Sequence, residues 1–204
     1  MVARSKRNSP PARRTRVVAD RAADVRTPAD NSISRVLSAA AFAAEKHRNQ
    51  RRKDKEASPY INHPISVAQL LACEAFERDV HLLAAALLHD TVEDTNTAFE
   101  ELEEHFGKLT AGIVRELTDD KALPKRERKR LQVEHAANAS QAAKLVKLAD
   151  KICNLRDLNA APPADWSLER KREYFDWAKQ VVDQLRGSHP RLEQLFDAEY
   201  ARRP

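Results

Sequence analysis

From Ser32 onward, apolar residues recur at intervals of three and four, and no stretch alternates convincingly in the two-residue rhythm of a half-buried strand. That periodicity commits the chain to helices whose apolar stripes cover one another. "SISRVLSAAAFAAEKHRNQ" reads as a first helix, followed by the basic loop "RRKDKEASPYIN". "PISVAQLLACEAF" comes next, with Pro64 placed at the first helical position, where a missing N–H does no harm. The apolar "DVHLLAAALLHDTVED" reads as one central helix, and "TAFEEL" opens with Thr97 and Glu100 at capping-box spacing. "KLTAGIVRELTDD", "PKRERKRLQVEHAAN", "QAAKLVKLADKICNLRDL", "SLERKREYFDWAKQVVDQLR" and "PRLEQLFDAEY" complete the series, with Gly187 as a stop signal. The expected architecture is an all-α bundle of about eight to ten helices.

Only three glycines occur, and none stands in a phosphate-loop or dinucleotide spacing, so any phosphate must be held by other means. Cys73 and Cys153 lie far apart inside apolar helical patterns and read as reduced core residues, which points to a reducing, cytoplasmic setting. No apolar run approaches the length of a membrane span, and no signal-peptide core stands near the start.

The formal charge of +5 is unevenly placed. Met1 to Pro28 carries eight Lys and Arg against two Asp, leaving 28 basic and 29 acidic residues for the remainder. The folded body is therefore close to neutral, which argues against a nucleic-acid partner. Residues 1–31, rich in Arg, Pro and Ala, read as a disordered basic extension ahead of a single domain over 32–204. An Arg-rich, acid-poor start also resembles an organellar presequence. Local basic clusters at "RNQRRKDK" and "PKRERKR" suit a small anionic ligand.

Within "LLHDTVEDT", His89 and Asp90 interrupt an apolar run. A buried carboxylate is costly without a partner, and a divalent cation would compensate it while holding a neutral imidazole. In a helix His89 and Asp90 project about 100° apart and can reach one ion from one turn. Two ligands are too few. His63 in "YINHPI" precedes a proline and falls at a helix start, while Asp150 in "KLVKLADKICNL" interrupts an apolar face, with Asn154 one turn later. Each has a plainer alternative: His63 could cap its own helix, and Asp150 could face solvent between Lys147 and Lys151.

The order H…HD…D resembles the HD superfamily of metal-dependent phosphohydrolases. "KHRNQRRKD", "PYINHPISVA", "AALLHDTVEDT", "ELTDDKALPKRERK" and "KLVKLADKICNLRDLN" resemble more narrowly the small alarmone hydrolases, stand-alone relatives of the RelA/SpoT hydrolase domain that include the animal Mesh type. The likeness runs from about Ala39 to about Leu185. It implies that His63, His89, Asp90 and Asp150 bind Mn²⁺, a set that does not exclude tighter-binding Zn²⁺ or Fe²⁺. It implies that Glu93 and Asp94 position and deprotonate the attacking water, although both could be surface carboxylates near a helix end. The implied substrate is guanosine 3′,5′-bis(diphosphate) or its pentaphosphate form, which loses its 3′-pyrophosphate. Arg52 and Lys53 match the family's RK pair, with the guanidinium stacked on the base. Lys125 and Lys151 are candidates for the diphosphates and Asn154 for the ribose or base; each lysine could also be merely solvated. Asp157 stands where the long RelA/SpoT enzymes often have Thr, and the short enzymes share it. The remaining residues leave no room for a synthetase or regulatory domain, so the resemblance implies a one-way hydrolase. Two alternatives stay open: removal of the 2′-phosphate of NADPH, and a helical alarmone-binding protein without turnover, against which Glu93 and Asp94 argue.

Overall fold

The computed structural model describes Met1 and residues 28–204, and most of the expected basic extension lies outside the described residues. Helix α1 begins at Pro28 and runs to Lys46 (Pro28–Lys46), four residues earlier than the apolar pattern implied. The others are α2 (Asn62–Gln69), α3 (Val80–Leu88), α4 (Thr91–Asp94), α5 (Phe99–Leu117), α6 (Lys125–Ala136), α7 (Gln141–Ala160), α8 (Leu168–Asp183) and α9 (Pro190–Tyr200). Helix α2 continues into a π-helical turn over Leu70–Glu74. Among the described residues the only extended pairing is an isolated bridge between Arg51 and Pro59. The protein is all-α.

Helix α3 forms the middle of the bundle, against α1, α2, α5 and α7. Ala84, Ala85 and Ala86 have no exposed surface, and such small side chains let several helices approach one backbone. Asp79 caps α3, its carboxylate accepting from the N–H groups of His81 and Leu82. Helix α7 crosses behind, capped by Ser140, and contributes Leu148, Ile152 and Leu155 to the same core. Helix α6 lies apart on α8.

Five local expectations are corrected. The segment read as one central helix breaks at Asp90 (φ −99°, ψ −3°), between α3 and α4, so His89 and Asp90 sit in a turn. Pro64 is third in α2 rather than first, still among the N–H positions that lack an intrahelical acceptor. No capping box forms: Ala98 holds the cap position of α5, and Thr97 bonds to Thr95 instead. "TAFEEL" and "KLTAGIVRELTDD" join in α5 across a kink at Gly107 (φ 81°), a conformation open to glycine, and Arg35 bonds the neighbouring Phe106 carbonyl at 2.7 Å. Cys153 is buried, but Cys73 is exposed on the π-helical turn, whose register carries it off the core face.

Candidate active site

Three segments converge on one point: the start of α2, the turn between α3 and α4, and the middle of α7. His63, His89 and Asp90 each offer a ligand atom, all within 4.8 Å of one another. Asp150 joins them through Oδ1, 3.0 Å from His63 Nε2 and 3.9 Å from His89 Nε2. His63 does not cap its helix, whose cap position is Ile61. Nor does Asp150 face solvent; its side chain is 16% exposed and engaged on both oxygens.

The donor set fits a divalent cation. His89 Nδ1 lies 2.8 Å from the Ala86 carbonyl, a contact that requires the proton on Nδ1, so that in the neutral ring Nε2 is the lone-pair donor. That Nε2 is buried and makes no hydrogen bond, although Asp90 Oδ2 lies 3.1 Å away. A buried nitrogen facing carboxylates without an aligned bond is what a metal-ligating imidazole requires. Burial opposes a charge on His89, yet Asp90 and Asp150 outweigh it and raise the imidazole to about 9. Burial likewise opposes ionisation of Asp150, but the Lys151 ammonium and the two imidazoles hold its carboxyl well below the usual range. The site's field favours a cation.

The partners of these ligands were only partly visible in the chain. Tyr60 donates to Asp90 Oδ2 at 2.6 Å. Asn154 donates to Asp150 Oδ1 at 2.6 Å and Lys151 to Oδ2 at 2.9 Å. Lys151, 6% exposed, is held between Asp150 and the ring of Trp177, 4.6 Å from its centroid. It therefore sits under the candidate ligand cluster, and Asn154 both bonds Asp150 and lines a cavity.

Two cavities lie near the cluster, and of its four residues only His63 lines one of them, the first. The first, about 490 Å³, is bounded by the loop bearing Arg52 and Lys53 and by Asp94, Asn154 and Asp157. That loop is held by Arg52 N–H on the Ser58 carbonyl (2.8 Å) and by Asp54, which accepts from Ser58. The Arg52 guanidinium is bonded to Asp157 and lies 5.8 Å from the Tyr60 ring centroid. The second cavity, about 640 Å³, is walled by Glu93 and Asp119 and by cations of α6 and α8, Lys125, Arg128 and Arg170 among them. Trp166 and Tyr174 line both.

Glu93 and Asp94 thus line different cavities. Glu93 accepts from Arg128 at 3.2 Å and from the Asp119 N–H at 3.2 Å. Burial, reinforced by the Asp119 charge, pushes its carboxyl up to about 6. Asp94 accepts from Gln50 at 2.9 Å and from Lys121. Gln50, Tyr60, Asp119 and Arg128 were not singled out in the chain. Arg128 had one local signal, its three-residue spacing from Lys125 on α6; Tyr60 stands three residues before His63.

Residues 39–176 match the HD domain family. A Xenopus tropicalis protein named guanosine-3′,5′-bis(diphosphate) 3′-pyrophosphohydrolase MESH1 is 61% identical over 162 residues, covering 79% of this chain and 90% of that protein. The Homo sapiens protein of the same name is 58% identical, with coverage of 81% and 93%. A solved structure, described as a metazoan ortholog of SpoT that hydrolyzes ppGpp and plays a role in starvation responses, superposes with a TM-score of 0.81 at 52% identity, covering 83% of this chain and 96% of that one. Its likeness to these proteins extends over nearly their whole length, and this chain belongs to the HD domain family, in the group that contains the MESH1 proteins.

Proposed function

We propose that this protein hydrolyses the 3′-pyrophosphate of guanosine 3′,5′-bis(diphosphate), or of its pentaphosphate form, with Mn²⁺ at the His63–His89–Asp90–Asp150 cluster. The observation that carries the reading is a candidate cation site with one cavity at His63 and a second beside Glu93, Asp94 lining the first. The names of the MESH1 relatives supply the substrate class.

The reaction adds water across the bond between the ribose 3′ oxygen and its phosphorus. The water oxygen bonds to phosphorus, the 3′ oxygen leaves and takes a proton, and the products are GDP or GTP with pyrophosphate. A divalent ion, when bound, supplies Lewis acidity that polarises a phosphoryl oxygen and acidifies a nearby water. Glu93, with its carboxyl raised to about 6, is the group poised to accept the water's proton near neutral pH. Asp94, tied to Gln50 and Lys121, orients the reacting groups from the other side. Arg52 and Lys53 lie at the first cavity for the nucleoside, and Lys125 at the second for a diphosphate.

The test is a product assay with Mn²⁺ and with chelator, offering guanosine 3′,5′-bis(diphosphate) and NADPH side by side. The expected result is pyrophosphate and GDP from the first, abolished by chelator. Faster phosphate release from NADPH would replace the substrate assignment, and binding without any product would remove the enzyme reading.

A further inference from the structure

One carboxylate oxygen, Asp157 Oδ2, is approached from two sides. The Arg52 guanidinium bonds it from the basic loop, across 105 residues of chain. His63 Nδ1 lies 3.9 Å from the same oxygen, beyond hydrogen-bond reach. That nitrogen is buried in a side chain only 2% exposed, and it makes no other hydrogen bond. The ring's other nitrogen, Nε2, is the one turned to Asp150 and the ligand cluster. A metal-ligating histidine ordinarily donates its second N–H to a carboxylate or carbonyl, which fixes the ring and makes it a stronger donor. His89 has such a partner in the Ala86 carbonyl, whereas His63 has only the carboxylate that Arg52 holds. Asp157 is itself 49% exposed on α7, so its side chain has room to move between the two.

We infer that Asp157 is a positioning residue that couples the nucleoside-binding loop to the metal centre. With Arg52 on it, Asp157 stands short of His63. When Arg52 turns to a ligand in the first cavity, Asp157 closes on the His63 Nδ1–H and orients that imidazole for the ion. Anything that draws Arg52 away therefore tightens metal binding, and by linkage the metal tightens whatever draws it. The inference rests on His63 being a ligand.

Direct titration of the metal-free full chain with Mn²⁺ alone, with no substrate and no turnover, tests it. Asp157→Ala should weaken Mn²⁺ binding by about tenfold, the lower end for losing such a partner. Asp157→Asn keeps an acceptor for the His63 N–H without the charge and should retain most of the affinity. Arg52→Gln frees Asp157 and should tighten binding several-fold in the native background but not in Asp157→Ala. If Arg52→Gln acts equally in both backgrounds, or Asp157→Asn binds as weakly as Asp157→Ala, only bulk charge matters and the coupling is overturned. His63→Ala separates the two layers: it should lose Mn²⁺ binding, and unchanged affinity there would overturn the ligand reading itself.

Discussion

The cavities near the ligand cluster are built from the same kinds of residue but differ in how their charges are paired. The one reached from the basic loop has a cation already engaged, Arg52 on Asp157. In the one beneath α6, Lys125, Arg126, Lys129 and Arg170 crowd together around Glu93 and Asp119. Burial and mutual repulsion lower the Lys125 and Lys129 ammoniums from their usual values, the mark of cations gathered beyond what the local carboxylates neutralise. Adjacent residues in the chain, Glu93 and Asp94, consequently sit in unlike fields. A base and an orienting group can thus come from one dipeptide.

The largest expected effect tests what the cavities share. Asp150→Ala should abolish Mn²⁺ binding and turnover together, with helix content by circular dichroism unchanged. A variant that kept one Mn²⁺ per chain and native activity would detach the cluster from both cavities. Next comes the contrast between neighbours. Glu93→Gln should cost about 10²- to 10⁴-fold in kcat, the scale of a positioned base, and Asp94→Asn distinctly less. Metal content should hardly change in either.

The Glu93 carboxyl is raised to about 6, and a base is active only when deprotonated; under the proposed role kcat should fall as pH drops through about 6, and Glu93→Gln should lack that limb. Equal losses in both amide variants, or a limb that survives Glu93→Gln, would erase the distinction. The smallest effect concerns binding. Lys125→Ala should raise KM by about tenfold, as for loss of one charge-assisted contact, and more steeply at low salt. Arg52→Ala should weaken nucleoside discrimination with less salt dependence. Interchangeable salt responses would show that the two cavities do not divide the substrate.

Much of this was legible in the chain because it depends on short-range rules. Apolar periodicity marked the helices by such rules, whereas the set of His63, His89, Asp90 and Asp150 was implied by the resemblance of its H…HD…D order to a known family. Lys151 was legible as a residue near the site but not as the partner of Asp150: a lysine beside an aspartate usually faces solvent, and only Trp177 and α8 bury this one. Arg128 was lost within a run of basic residues that look alike until α6 turns one of them toward Glu93. Thr97 and Glu100 had the spacing of a cap, yet a competing bond from Thr97 to Thr95 won at that turn.

By itself the sequence determined an all-helical body, a near-neutral charge outside its first 28 residues, and the residue types able to hold a cation. Those follow from helix geometry and donor chemistry, which act over a few residues. Tertiary structure decided that the central helix breaks at Asp90, that Glu93 and Asp94 face different cavities, and that Asp157 lies between Arg52 and His63. The deciding contacts join residues 35, 87 and 105 apart, where periodicity carries no information and only the packing of α2, α6 and α7 sets which side chains meet.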